Sequence, residues 1–544
     1  MVMVCRIFMV LGLFVAMGCE RREPMTAKFA REKILLKGHG SEPRSLDLHL
    51  IQTTTEHQLM MALFEGLVNE DASDDTKLVP GAAESWESLD GSQRWRFKLR
   101  ANAQWSDGTP VTAEDFVKSY QRELSPTFGA LYADMLYKLK NAEAYHKGEL
   151  KDFGQVGVKA LDPLTLELTL NGPMPYFPYV LMHFTWFPVP LHVIEKYGEP
   201  ESRFNQWTRA GHLVGNGAFQ LKEWRFKDYI EVERNPHYWD AAKVKLNGVR
   251  FVVVTDLATE ERMFRSGRLH VTETLGLDRI PFYKEHFPQV LRLNPYLGVY
   301  FYRINVTKPP FTDLKVRQAL NLALDRETLV NSTLQAAHTP ASGFIPPMQA
   351  SFPLARPLTY DPEKARQLLA EAGFPGGKGF PKFSLHVNDV ETHVRIAEVM
   401  QDMWKRTLCL EVSVRTESSS VFYDTQQRMD YETSRAGWIA DFVEPISFLD
   451  LWTTGNQNNN TGWTNPRFDQ LIKDSYTATD PQARAKLLGE ADQIFNADLP
   501  VIPIYWYNRQ TLVHPAVKGW GAKLLDNHPW RDLDLGDEPL PDFH

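Results

Sequence analysis

Cysteine is scarce in this 544-residue chain: only Cys5, Cys19 and Cys409 occur. Three such thiols make no disulfide framework, and no CxxC pair is present for a metal or redox centre. Cys409, within Leu408-Cys409-Leu410, reads as a buried strand thiol. Basic blocks are missing as well. The formal net charge is −8, and the acidic residues are spread along the chain. That balance argues against nucleic acid as a partner and reads as a solubilising surface. No HExxH, GxSxG or GxGxxG occurs. Gly376-Gly377-Lys378-Gly379 fails as a phosphate loop, because Ala372 stands where the first glycine belongs and Gly379 replaces the magnesium-binding Ser or Thr. His183, His192, His212 and His237 lack metal-ligand spacing. No motif therefore supports an enzyme, and none calls for a cofactor or a metal.

Long apolar runs are also few. One of 11 residues, Ile7 to Met17, follows Arg6. A membrane-spanning helix needs about 20 residues, so residues 1–18 are expected to be a signal peptide. The run ends in Ala16-Met17-Gly18-Cys19, which resembles the bacterial lipobox with Ala16 in place of the usual Leu. Lipidation of Cys19 is the expectation, and ordinary secretion with cleavage nearby is the alternative. The charged stretch from Glu20 to Glu23 would then be a tether, with the mature chain in the periplasm and held to a membrane by acyl chains.

What the chain does have is aromatic residues: 14 Trp, 19 Tyr and 31 Phe. They supply a large core, a cleft lining, or both. Length predicts two or three lobes rather than one core. Thr53 and Glu56 have capping-box spacing before a helix carrying Leu59, Leu63 and Phe64. Trp95, Phe97 and Leu99 alternate with Arg94, Arg96 and Lys98 as a half-buried strand. Trp105 to Pro110 is a turn, and Thr112 with Asp115 opens a helix bearing Phe116, Val117, Tyr120 and Leu124. Leu164, Leu166, Leu168 and Leu170 alternate as a strand, and Phe251 to Val254 reads as a strand buried on both faces. Further helices are expected near 313–324, 363–372, 391–406 and 481–494, and loops at Ala440 to Pro445 and Gly455 to Gly462. The class is α/β.

One segment stands out: Arg435-Ala436-Gly437-Trp438-Ile439-Ala440-Asp441-Phe442-Val443-Glu444-Pro445. It resembles the strand and loop of the bacterial oligopeptide-binding proteins, the large periplasmic receptors of peptide ABC importers. Leu63-Phe64-Glu65-Gly66-Leu67, Trp105-Ser106-Asp107-Gly108-Thr109-Pro110, Asn216-Gly217-Ala218-Phe219, Arg234-Asn235-Pro236-His237-Tyr238-Trp239, Tyr302-Arg303-Ile304-Asn305 and Ile502-Pro503-Ile504-Tyr505-Trp506-Tyr507 extend the likeness over nearly all of residues 33–540.

The resemblance implies a periplasmic solute-binding fold, with two main lobes around a hinge and an inserted third lobe. Lobe I would comprise residues 19–64, 189–296 and 507–544, lobe II residues 65–188, and lobe III residues 297–506. Chain crossings near 294–300 and 505–510 would form the hinge. The implied function is capture of short peptides, without catalysis, for an importer's permease subunits, by a monomer. Asp441, on its residues alone a loop-capping aspartate, would pair with the ligand's free amine. Gly437 and Ile439 would grip its backbone, opposite Thr54. Trp438 is expected at the pocket wall or as a structural tryptophan. Arg435 and His393 stand where relatives meet the ligand's carboxyl end, and Tyr137 and Tyr507 are further carry-overs. Gln52 stands where relatives are often acidic. A lysine expected near Ser332 to Leu334 and a tryptophan near Ser419 are missing. Other readings are a muropeptide, nickel-chelate, haem or oligosaccharide receptor of the same fold, and a hydrolase or chaperone.

Overall fold

The computed structural model describes residues 23–348, 352 and 357–543. The signal segment, Cys5 and Cys19 lie outside them. A helix, Met25–Arg31, precedes strand β1 (Ile34–Gly38) and the helix Thr54–Leu63. That helix starts on the expected capping box: the Thr53 hydroxyl accepts from the Glu56 amide, and the Glu56 carboxylate accepts from the Thr53 amide. Strands β2 (Val68–Glu70) and β3 (Leu78–Pro80) make a short ribbon. Next, β4 (Ala83–Leu89), β5 (Arg94–Leu99), β6 (Val158–Asp162) and β7 (Thr165–Thr169) form an antiparallel sheet in the order β4-β5-β7-β6. Trp95, Phe97 and Leu99 of β5 are buried, while Arg94 and Arg96 on its other face pair with Glu167 of β7. The helix Ala113–Glu123 covers this sheet and has the expected Thr112–Asp115 capping box.

Strands β8 (Phe219–Arg225), β9 (Tyr229–Arg234) and β10 (Gly248–Val252) return to β1 in the order β1-β10-β9-β8, with β1 and β10 parallel. The apolar strand expected at Phe251 to Val254 thus lies earlier: it ends at Val252, and Val253 and Val254 are half-buried loop residues. A six-stranded sheet follows, made of β11 (Leu291–Ile304), β12 (Thr339–Pro340), β13 (Phe383–Asn388), β14 (Val412–Glu417), β15 (Thr433–Ile439) and β16 (Val501–Leu512) in the order β12-β16-β11-β15-β13-β14. Strands β17 (Val517–Lys518) and β18 (Asp534–Leu535) pair near the end. The helices Leu314–Leu322, Pro362–Glu371, Glu391–Leu408 and Pro481–Asp498 match the expected positions. Cys409 is not a buried strand residue. It caps the helix Glu391–Leu408 in the left-handed conformation, φ 57°, and its side chain is exposed. The helix outlasts its expected end, so the strand begins only at Val412.

Two strands tie the halves together. β11 pairs with β16 from Leu291↔Leu512 to Pro295↔Asn508, and again from Val299↔Trp506 to Arg303↔Val501. Between these stretches the ladder is interrupted. Asn294 and Pro295 close the lower stretch, and Tyr296 lies in the interruption. The lower stretch packs Leu291, Leu293 and Leu512 against Leu36, Phe264 and Tyr283. The upper stretch packs Tyr300, Tyr302, Ile304, Ile502 and Ile504 against Leu320, Leu385 and Trp404. A buried charge network anchors the lower end. Arg509 reaches Glu273 at 2.9 Å and Asp526 at 2.7 Å, and Lys37 reaches the other Glu273 oxygen at 2.5 Å. Each cation has a partner, as burial requires.

Gly298 ends the interruption. A Cβ there would lie 2.3 Å from Ile439 Cδ1 and 2.8 Å from the Trp438 carbonyl. Gly298→Val is expected to destabilise the chain by about 1–3 kcal/mol through overpacking. Thermal denaturation checks this, and an unchanged Tm contradicts it.

Candidate binding cleft

The site begins with a strand edge. β15 pairs with β11 along its whole length, from Thr433↔Ile304 to Ile439↔Gly298. On its other side it pairs with β13 only at Thr433 and Ser434. From Arg435 onward that side has no partner strand among the described residues. Backbone direction along a strand alternates with a period of two. The Ala440 amide donates to Leu297 of the neighbouring segment, and the Arg435 carbonyl accepts from the Gln426 amide group at 2.6 Å on the opposite side. Gly437 and Ile439 therefore direct their amides and carbonyls to the unpaired edge. From Arg435 to Ile439 this edge runs four steps, about 13 Å. Gly437 is exposed, and Trp438 and Ile439 are half-buried.

The edge runs into Asp441. Its position is fixed by Ser447, whose hydroxyl accepts from the Asp441 amide at 3.1 Å and whose carbonyl accepts from Trp438 Nε1 at 2.8 Å. Trp438 thus serves as a brace for the loop. The Asp441 side chain is open to solvent yet surrounded by enough protein to lose hydration, as in the wall of a cleft. Desolvation pushes its carboxyl up to about 6, with Lys138 opposing and Asp134 adding to the shift. Both belong to the short helical segment Ala133–Lys138, some 300 residues away in sequence. The Asp441 charge also raises the pKa of Tyr132, after burial. The Tyr132 hydroxyl in turn lies 3.5 Å from the Gln52 carbonyl. Gln52 and Thr54, at the exposed start of the helix Thr54–Leu63, are thereby linked to the surroundings of Asp441.

A cationic and aromatic cluster marks the other end. The Arg435 guanidinium lies 4.9 Å from the Tyr300 ring centre. Burial works against its charge, but Tyr300, Tyr507 and Tyr505 outweigh burial and raise its pKa. A Cβ on Gly437 would stand 2.9 Å from the Tyr507 hydroxyl and 3.6 Å from Arg435 Nη2, so these three groups converge. His393 Nδ1 is 3.3 Å from the Tyr300 hydroxyl. Burial, reinforced by Arg435, lowers His393 to about 4, so its ring is neutral at pH 7.

Tyr137 lies on the same short helical segment as Asp134 and Lys138, its ring against His146 at 5.8 Å, and Tyr132 from the residue before that segment also senses the Asp441 charge. Sequence reasoning did not single out Tyr132, Asp134, Lys138, Tyr300, Gln426 or Ser447. No local motif marks them; only the folding of distant segments brings them together.

Comparison with known proteins supplies the context. Residues 77–460 match the family described as bacterial extracellular solute-binding proteins, family 5 middle. The periplasmic oligopeptide-binding protein OppA of Salmonella typhimurium is 37% identical over 514 residues, covering 93% of each chain. An unliganded open form of MppA, a periplasmic murein tripeptide binding protein, superposes with a TM-score of 0.83 at 32% identity, over 93% of this chain and 98% of that one. Haemophilus influenzae OppA in complex with RPPGFSPFR gives 0.71 at 32% identity, over 93% and 99%.

The Asp441 carboxyl is expected to titrate near pH 6. Lys138→Met should raise that midpoint and Asp134→Asn should lower it. Carboxyl-labelled aspartate followed by NMR measures both shifts. A midpoint near the ordinary 3.8 that neither variant moves contradicts the assigned surroundings.

Proposed function

The chain belongs to the bacterial extracellular solute-binding proteins of family 5, and on that premise we propose that it captures short peptides and delivers them to the permease subunits of an ABC importer. The observation that carries this reading is the unpaired β15 edge ending at a solvent-accessible carboxylate. A peptide has a repeating backbone and one ammonium group. Gly437 and Ile439 offer the backbone a strand partner. Asp441 offers the ammonium a charge-assisted hydrogen bond worth about 1.5–3 kcal/mol net. Arg435, near the other end of the edge, is placed for the ligand's carboxylate. His393 supplies a polar but uncharged neighbour, and Tyr507 borders the edge beside Gly437. Trp438 acts through the loop it braces, and Thr54 with Gln52 faces the ligand from the opposite side.

In this reading lobe II is residues 65–188, lobe III residues 297–506, and lobe I the remaining mature chain. The interrupted β11–β16 ladder is the hinge, because its two ends belong to different cores. The better superposition on an unliganded open form than on a peptide complex supports an open arrangement here. Among the described residues no helix is long and apolar enough to cross a membrane. Export to the periplasm with a lipid on Cys19 accounts for the expected signal segment. The relatives are binding proteins, which supports capture without turnover. A murein peptide presents the same free amine and falls within this reading. Nickel chelates, haem and sugar oligomers give Asp441 no ammonium to pair with.

Calorimetry with a tripeptide and its N-acetylated form tests the assignment. Acetylation and Asp441→Asn are each expected to weaken binding tenfold or more. Affinity should hold from pH 8 to about 6 and fall below it, since protonated Asp441 no longer pairs with the ammonium. Asp441→Asn should abolish that pH dependence. Equal affinity for free and acetylated peptide would sink the assignment.

A further inference from the structure

Several buried or half-buried arginines of this chain fall into two groups. Arg122, Arg484, Arg509 and Arg531 each face a carboxylate within 4 Å. Arg317 and Arg326 are satisfied by three or more backbone carbonyls each. Arg303 and Arg435 fit neither group. Among the described residues, no ion pair involves either of them. Arg303 donates to Gln426 Oε1 at 3.0 Å and to the Asn458 carbonyl at 3.4 Å, and its Nε is buried without a hydrogen-bond partner. Arg435 Nε is likewise buried and unpartnered. Two half-buried guanidiniums with no carboxylate within 4 Å among the described residues suit an anion that arrives from outside.

Gln426 shows where Arg303 ends up. Its amide group donates to the Arg435 carbonyl, which points to the unpaired edge of β15, and to Ser434 Oγ. Arg303 lies opposite Ser434 on β11, one strand inward. Its guanidinium reaches Gln426 Oε1 on the Ser434 face of the sheet, beside the point where β13 stops pairing. Arg435, opposite Tyr302, stands on the other face of the sheet. An extended ligand on this edge sends alternate side chains to the two faces. One guanidinium therefore stems from each face of the sheet beside the start of this edge. Their fields overlap: Arg435 lowers the pKa of Arg303, after burial, while Tyr431 and Tyr423 oppose the shift. No carboxylate is among the leading influences on either. The adjoining helix Ser419–Gln427 presents Val421 and Tyr423 to solvent, 48% and 54% exposed, as an open wall beside the pair. Gln52 brings no negative charge to the cleft.

We propose that Arg303 and Arg435 form a two-cation subsite that selects peptides carrying a second carboxylate, an aspartate or glutamate side chain in addition to the chain end. This rests on the peptide-capture reading above and names its substrate class. Arg435 takes one carboxylate and Arg303 the other, and lysine-bearing peptides are repelled by both.

The test uses the mature full chain and alanine tri- and tetrapeptides carrying a single glutamate, glutamine or lysine, measured by calorimetry. The wild type is expected to bind the best glutamate peptide at least tenfold tighter than its glutamine isostere, with lysine weakest. Arg303→Gln should erase the glutamate preference, leave the glutamine peptide within about threefold, and keep the wild-type Tm. Arg303→Lys should restore part of the preference, which a merely structural arginine would not show. Binding of glutamine and glutamate peptides alike by the wild type overturns the subsite but leaves peptide capture standing. A preference that survives Arg303→Gln also overturns it. Failure of every peptide to bind overturns the peptide reading itself.

Discussion

The site depends on one divergence: β13 leaves β15 after Ser434. A strand edge without a partner exposes a row of donors and acceptors and invites pairing with another chain. Here the edge is short and protected by its surroundings. Gln426 closes its start, Gly437 adds no bulk to its middle, and Asp441 places a charge at its end. The same features that discourage indiscriminate pairing prescribe what can bind: an extended backbone with a cation at one end and an anion towards the other.

The rest of the fold holds that edge in place. β15 is fixed from behind by full-length pairing with β11, whose Val-Tyr-Phe-Tyr run suits a pleated, buried strand. β11 and β16 span two cores, with a wide break between Pro295 and Val299 and a smaller bulge between Tyr300 and Phe301, so a change in the angle between the cores need not disturb the pairing within either. The Lys37–Glu273–Arg509–Asp526 network keeps the lower end rigid. The groups facing Asp441 come from the segment Ala133–Lys138, while Asp441 itself hangs from the upper sheet. Charge recognition is therefore divided between parts of the chain that the β11–β16 ribbon joins.

Local physics was legible in the sequence. The Thr53–Glu56 and Thr112–Asp115 spacings became capping boxes, and the Trp95-Phe97-Leu99 alternation became a half-buried strand, because three-residue and two-residue periods are set by backbone geometry alone. The Asp441 loop stood out as one contiguous segment. Readings that required tertiary information went astray. Leu408-Cys409-Leu410 looked like a strand, but the two leucines close a helix and its cap, leaving the thiol in water. Phe251 to Val254 looked continuous, but the strand ends where Val253 turns to Asp228. Arg303 passed unremarked within Tyr302-Arg303-Ile304-Asn305, since nothing in a sequence shows that an arginine lacks a carboxylate partner.

The central claim is that the free edge of β15 receives the ligand as an added strand. Amide hydrogen exchange at Gly437 and Ile439, measured with and without a saturating peptide, addresses it most directly. The expected result is fast exchange in the free protein and at least tenfold slowing at both amides on binding. Trp438, already turned towards β11, should change far less. Tight peptide binding that leaves the Gly437 and Ile439 amides exchanging as before would contradict the account.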